Sequence, residues 1–120
     1  MVKSPVNIAI LSSRESLDVL VSTVQSAVKA VPMNSIVDVV INGNNENAKY
    51  IVQALNVLDG YESIKIFIWF ISKADKGNAW NTHIHQIWRS NDQFAIYIDG
   101  YVKVDSVSID AICNAMSKQG

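Results

Sequence analysis

Residues 6–31 read VNIAILSSRESLDVLVSTVQSAVKAV, and they establish the architecture expected for the whole chain. The first six are a short run rich in β-branched residues, which is typical of a buried strand. From Leu17 onward the apolar residues recur at three- and four-residue spacing, which predicts an amphipathic helix of about four turns. Ser13 or Ser16 can cap the start of this helix, and Pro32 ends it.

The strand–helix unit recurs along the rest of the chain. Further strands are predicted at residues 36–41, 64–71 and 94–98, and further helices at residues 48–58, 75–90 and 107–116. The strand predicted at residues 64–71 is apolar on both faces after Lys65, which predicts a strand covered by helices on both sides. This alternation predicts a three-layer α/β/α sandwich, Rossmann-like, around a mainly parallel four-stranded sheet.

Length and composition limit the classes of protein that need to be considered. The 120 residues fit one domain spanning 1–120. Lys and Arg number 10 against 11 Asp and Glu, without a basic cluster, which disfavours nucleic acid as a partner. No apolar run approaches the ~20 residues of a membrane-spanning helix. The single cysteine, Cys113, allows no internal disulfide, so we expect a cytoplasmic location and a buried, structural thiol.

Loops at one edge of the predicted sheet are the expected place for a ligand. In parallel sheets ligands bind outside the carboxyl ends of the strands. The loops after the predicted strands are residues 12–15, 42–47, 72–78 and 99–105. A functional site is therefore expected among these residues.

The loop after the third strand contains Lys76 and Gly77 at the predicted start of a helix. A glycine lets the backbone approach a phosphate closely, and the free N–H groups and dipole of the helix favour an anion. Lys76 adds a positive charge. Alternatively, Gly77 only eases a turn and Lys76 is a solvated surface residue.

The loop after the fourth strand begins with Asp99 and Gly100. A carboxylate at the mouth of a parallel sheet can bind a ribose hydroxyl or help to hold a divalent metal ion on a diphosphate. Alternatively, Asp99 caps the turn that Gly100 permits. The neighbouring Asp105 is a reserve carboxylate, with capping of the last helix as the favoured role.

Three segments together resemble family 2 glycosyltransferases. Residues 76–81, KGNAWN, fit the Lys-Gly-x-Ala-x-Asn segment that opens the third helix of that family. Residues 94–99 are similar to its Asp-x-Asp strand, and residues 102–109 are similar to the segment after that strand. Asn42 and Gly43 stand where the family has its Asp-Gly-Ser loop. The resemblance covers essentially the whole chain and corresponds to the N-terminal half of the family.

The resemblance implies a domain of the glycosyltransferase A type with the first strand central and the strand order 3-2-1-4. It implies binding of a nucleotide-diphosphate sugar, with glycosyl transfer to an unspecified acceptor where the domain is active. Asp99 would bind the ribose, Lys76 and Gly77 would face the diphosphate, and Asn42 and Gly43 the base, with Ser12 in the first loop. Mn²⁺ or Mg²⁺ is an expected cofactor, with Asp99 as a ligand. The second half of the family would come from a longer protein or from a partner.

The chain also departs from the family pattern. Residues 11–14, LSSR, replace a Pro-x-Tyr-Asn loop, and Ile41 and Asn42 replace paired aspartates. Tyr101 stands at the second Asp of Asp-x-Asp, and a phenol with a pKa near ~10 is a poor ligand for these metals. These departures support an alternative: a non-catalytic interaction or regulatory module on a degenerate glycosyltransferase scaffold, for which a homo-oligomer is one expected form.

Histidine and tryptophan residues offer further candidates with less support. His83 and His85 lie two positions apart in a predicted helix, where their side chains point away from each other and cannot share a metal. Trp69, Trp80 and Trp88 could form a platform for a sugar, but their spacing is more typical of packing residues. No residue is assigned as a general base.

Overall fold

A computed structural model describes residues 5–12, 15–42, 48–58, 63–71, 95–100 and 102–119. The strands are β1 (Asn7–Ser12), β2 (Ile36–Asn42), β3 (Lys65–Ile71) and β4 (Ala95–Asp99). The helices are α1 (Leu17–Ala30), α2 (Ala48–Asn56) and α3 (Ser106–Gln119). The hydrophobic pattern predicts each of these elements, and most ends agree with the prediction within one or two residues.

The four strands form one parallel sheet in the order β3-β2-β1-β4. The register places Ile8 of β1 beside Val37 of β2 and Ile96 of β4. Both the parallel sheet and the strand order 3-2-1-4 are therefore confirmed. Because all strands run the same way, their carboxyl ends lie at one edge of the sheet.

The main hydrophobic core lies between the sheet and the three described helices. Alternate residues of the strands point to this side, which we call the helical face. In this core the strand residues pack against residues of every described helix. The strands contribute Ile8, Ile10, Val37 and Val39, and the helices contribute Leu20, Val24, Ile51, Leu55 and Ile109. The chain is thus an α/β fold of the Rossmann-like kind, with α1, α2 and α3 packed on one face.

The opposite face of the sheet carries a second, smaller cluster. Ala9, Leu11 and Val40 are buried there, with Trp69 and Tyr97 partly buried beside them. The helix predicted at residues 75–90, which would supply the third layer of the sandwich, lies outside the described residues.

Caps at the helix ends agree with the sequence-based expectations. Ser16 is the N-cap of α1, and its Oγ accepts a hydrogen bond from the backbone N–H of Val19 at 3.3 Å. Asp105 caps α3 in the same way, since its Oδ1 accepts from the N–H of Ser108 at 2.7 Å. No helix within the described ranges has both the length and the apolar character needed to cross a membrane.

Two expectations about burial are wrong. The pattern predicts a third strand covered on both sides, but β3 ends the described sheet, and Phe70 keeps 47% of its surface exposed. An edge strand has a neighbour on one side only, so its side chains are incompletely covered even when the sequence is continuously apolar. Cys113, expected to be buried, is half-buried, because it lies at the margin of the core that Ile109 enters.

Candidate functional site at the carboxyl ends of the strands

Three of the predicted site residues are the last residues of neighbouring strands. Ser12 ends β1, Asn42 ends β2 and Asp99 ends β4. Parallel pairing brings these ends to one edge of the sheet, where Asp99 pairs with Leu11. The other predicted site residues, Gly43, Lys76 and Gly77, lie outside the described residues. The described part of the site is therefore a set of polar residues along one edge, with the Ser12 side chain on the helical face and those of Asn42 and Asp99 on the opposite face.

Ser12 is buried and forms a hydrogen bond with a carboxylate that the sequence reasoning does not assign to the site. Its hydroxyl donates to Oε2 of Glu15 at 2.8 Å, and Ser12 keeps only 3% of its surface exposed. Glu15 is half-buried immediately before α1. From the sequence alone, Glu15 is explained by the dipole of the following helix, which favours an acidic residue near the start of that helix. The structure adds Glu15 to the polar groups at this edge.

Asn42 has a buried side chain that is 3% exposed. Among the residues that the structure describes, neither its Oδ1 nor its Nδ2 has a hydrogen-bond partner. A buried polar group without a partner costs about 1–3 kcal/mol of stability. Such groups are rare in native proteins, and each one calls for a physical or functional reason. Asn42 thus offers one donor group and one acceptor group at the end of β2.

Asp99 and Asn42 lie on the same face of the sheet. Alternation along the strands places both on the face opposite α1, where Asp99 is level with Leu11 and Val40. Strand β1 separates them and Asn42 lies two residues beyond Val40, so two interstrand spacings and two residues of rise put their backbones roughly 12 Å apart. Asp99 is half-buried. A carboxylate and an amide therefore face the same side, with one strand between them.

The chain turns directly after Asp99. The N–H of Val102 donates to the carbonyl of Asp99 at 3.1 Å, which closes a tight turn. A Cβ atom on Gly100 would lie 3.1 Å from both Cδ of Glu15 and Cβ of Ser12. A side chain at this position would therefore require Ser12 or Glu15 to shift, and the turn lies close against the end of β1.

A buried polar cluster on the same face is missed by the sequence reasoning. Asp38, in the middle of β2, is fully buried and accepts hydrogen bonds from Nδ2 of Asn7 at 2.9 Å and from Nε1 of Trp69 at 3.0 Å. Trp69 is thus a packing residue whose indole is oriented by Asp38. The one available signal is a charged residue inside an otherwise apolar strand, since charges are seldom buried without partners.

Tyr97 of β4 lies in the same transverse row of the sheet as Asp38, with Ala9 of β1 between them. Burial raises the pKa of the Tyr97 phenol, and the negative charge of Asp38 raises it further. The two side chains are therefore electrostatically coupled beneath the edge that carries Asn42 and Asp99.

The described residues do not form a metal site. Across the described ranges, no group of three or more His, Cys, Asp or Glu side chains is placed to hold a metal ion. Asp105, the reserve carboxylate, is occupied as the cap of α3, and its hydrogen bonds with Ser108 lower the pKa of its carboxyl group. Tyr101, His83 and His85 lie outside the described residues.

A groove of about 440 Å³ lies elsewhere, between α1 and residues 103–106. Its lining includes Lys29, Lys103 and the reserve carboxylate Asp105, but none of Ser12, Asn42 and Asp99. We place the candidate site at the strand ends, where these three polar residues end neighbouring strands.

Comparison with known proteins adds no assignment: no protein-family model matches the chain, and no curated protein matches it.

Proposed function

We propose that this chain binds a nucleotide-diphosphate sugar at the carboxyl ends of its strands, in the manner of the glycosyltransferase A type. The observation that carries the proposal is the position of Asn42. Within the described ranges its amide is buried without a partner, at the same edge of the sheet as Asp99 and Ser12. An edge of this kind is the usual ligand site of open parallel sheets.

The polar groups suit the parts of a nucleotide. The carboxylate of Asp99 accepts hydrogen bonds from ribose hydroxyls, as acidic residues at such strand ends do. The amide of Asn42 has an adjacent donor and acceptor, which match the donor–acceptor pairs at the edges of nucleic-acid bases. The resemblance assigns the diphosphate to the loop with Lys76 and Gly77.

The proposed function is binding of the nucleotide-diphosphate sugar rather than glycosyl transfer. Glycosyl transfer requires a general base within reach of the acceptor hydroxyl, and we assign that role to no residue. Within the described ranges, no group of three or more His, Cys, Asp or Glu side chains is placed to hold Mn²⁺ or Mg²⁺.

Calorimetric titration tests the proposal directly. The chain is titrated with UDP and with GDP, each with and without manganese, and with inorganic pyrophosphate as the control for diphosphate alone. We expect one of the nucleotides to bind in the micromolar to millimolar range and more tightly than pyrophosphate. Absence of binding by protein that is folded by circular dichroism would contradict the proposal and favour the non-catalytic interaction module.

The titrations with manganese test the expected metal cofactor separately. If Asp99 contributes to a metal site, manganese will increase the nucleotide affinity and Asp99→Asn will remove that increase. Equal affinities with and without manganese would show that the chain binds its nucleotide without a metal ion.

A further inference from the structure

Gly100, the residue after Asp99, is hydrogen-bonded from two sides. Its N–H donates to the carbonyl of Leu11 in β1 at 2.9 Å. Its carbonyl accepts from the hydroxyl of Thr23 in α1 at 2.7 Å, across 77 positions of sequence. Both peptide groups that flank Gly100 are therefore fixed, one by the central strand and the other by the first helix.

The surroundings of Gly100 leave it little freedom. A Cβ atom there would lie 3.1 Å from Cβ and 3.3 Å from Cα of Ser12. These distances are tighter than ordinary van der Waals contact, so the backbone of Gly100 lies directly against the end of β1. Asp99 is thus followed by a peptide that has packing contacts as well as hydrogen bonds.

Thr23 reaches Gly100 from the interior of α1. It is 1% exposed, and its Oγ1 is also 3.1 Å from the carbonyl of Val19, the contact one turn back that helical threonines commonly make. A hydroxyl has one proton to donate. We assign that proton to Gly100, because the oxygen–oxygen distance is shorter there.

Ser26, one turn further along α1, contacts the same segment at a second point. Its Oγ accepts from the N–H of Val104 at 3.0 Å and donates to the carbonyl of Thr23 at 2.8 Å. Two hydroxyls of α1 therefore hold the chain between β4 and α3. Thr23 holds Gly100, which directly follows Asp99, whereas Ser26 holds Val104, five positions after Asp99.

We infer that Thr23 is a positioning residue for the proposed nucleotide site. Its hydroxyl fixes the Gly100 peptide, and Gly100 in turn fixes the end of β4 from which the Asp99 carboxylate extends. A group held in its binding geometry before the ligand arrives does not have to be ordered on binding, so affinity is gained. This inference rests on the proposed function, because it concerns the affinity of that same site.

The test compares three substitutions in the full chain. Thr23→Val keeps the shape of the side chain and removes the hydroxyl, Thr23→Ser keeps the hydroxyl, and Ser26→Ala removes a neighbouring hydroxyl that does not contact Gly100. Calorimetry measures affinity for whichever of UDP and GDP binds the wild type, and nuclear magnetic resonance measures the amide shifts of Gly100 and Val104. Thr23→Ala replaces Thr23→Val if the latter does not fold.

We expect Thr23→Val to lower nucleotide affinity by up to about tenfold, since the loosened end of β4 must then be ordered when the ligand binds. It should also shift the Gly100 amide signal. Thr23→Ser should bind within about twofold of wild type, and so should Ser26→Ala, which should move only the Val104 signal.

The outcomes separate this inference from the proposed function. A folded Thr23→Val protein that binds nucleotide like wild type would overturn the positioning role and leave the proposed function intact. Equal losses in Thr23→Ser and Thr23→Val would also overturn it, since they would point to packing of the methyl groups. A wild type that binds no nucleotide would overturn both.

Discussion

Asn42 and Asn7 are the same residue type in different polar surroundings. Both are buried, and both have polar atoms without a partner. Asn7 nevertheless donates a hydrogen bond to Asp38, whereas neither polar atom of the Asn42 side chain has a partner within the described part of the chain. We therefore expect Asn7 to stabilise the fold through a buried carboxylate and Asn42 to lower its stability.

Asn42→Leu should consequently stabilise the protein and abolish nucleotide binding. Replacing an unpaired buried amide with an apolar group of similar size should raise the free energy of unfolding by about 1–3 kcal/mol. Urea unfolding and calorimetric titration measure the two effects. Asn7→Leu is the matched control and should lower the free energy of unfolding, because Asp38 loses a donor. A destabilised Asn42→Leu protein would show that the amide has a structural role.

Asp99→Ala separates a binding role from a structural role at the end of β4. We expect the variant to lose at least about tenfold in nucleotide affinity, as is usual for a hydrogen bond to a charged group. Its melting temperature should stay close to that of wild type, because Asp99 is half-buried at the end of a strand. A large fall in melting temperature together with lost binding would instead indicate that Asp99 supports the turn.

Strand β2 illustrates, at the scale of an element, how one polar position is accommodated in an apolar strand. Its residues are apolar except for Asp38 and the terminal Asn42. Asp38 is tolerated because Asn7 of β1 and Trp69 of β3 donate to its two carboxylate oxygens. A single carboxylate thus links side chains from three adjacent strands across the sheet.

Asp38→Asn should break one of these links. An amide has one acceptor oxygen, so its NH₂ group would either face Trp69 as donor against donor or require the Asn7 amide to flip and present its Oδ1. We expect the free energy of unfolding to fall by about 1.5–3 kcal/mol, the usual value of a hydrogen bond to a charged group. Urea unfolding measures the change. Asp18→Asn, on the exposed first turn of α1, is the control with a smaller effect, and equal effects would contradict the proposed role of Asp38.

The stability of the whole molecule should depend on pH through Tyr97. Because burial and then the Asp38 charge raise the pKa of Tyr97 in the folded state, folding retains the phenol proton. The contribution of Tyr97 to the free energy of unfolding is therefore fully present below about pH 10, the pKa of an unperturbed tyrosine. It is lost as the pH rises through the folded-state pKa.

Tyr97→Phe, which cannot ionise, should consequently lose stability less steeply above about pH 10. Urea unfolding between about pH 8 and pH 11 measures the two slopes. Tyr50→Phe, at an exposed position of α2, should follow the wild-type curve. Parallel curves for Tyr97→Phe and wild type would contradict coupling of Tyr97 to folding.

Local pattern in the chain is enough to identify the strands and helices. Apolar spacing in residues 6–31 places β1 and α1, because a period of two or of three to four residues is a local property of the chain. The strand order 3-2-1-4 comes from the resemblance. The position of Ser12, Asn42 and Asp99 at one edge then depends only on parallel pairing.

The contacts that give this edge its chemistry depend on tertiary packing. Asp38 is stabilised by residues 31 positions away on either side, and Thr23 reaches Gly100 across 77 positions. Glu15 belongs to this edge because its carboxylate accepts a hydrogen bond from Ser12, and because its Cδ would lie 3.1 Å from a Cβ atom on Gly100. Hydrophobic periodicity records which face of an element is buried, but it contains no information about which distant polar groups meet there. Only the packed sheet and helices bring those groups within hydrogen-bonding distance.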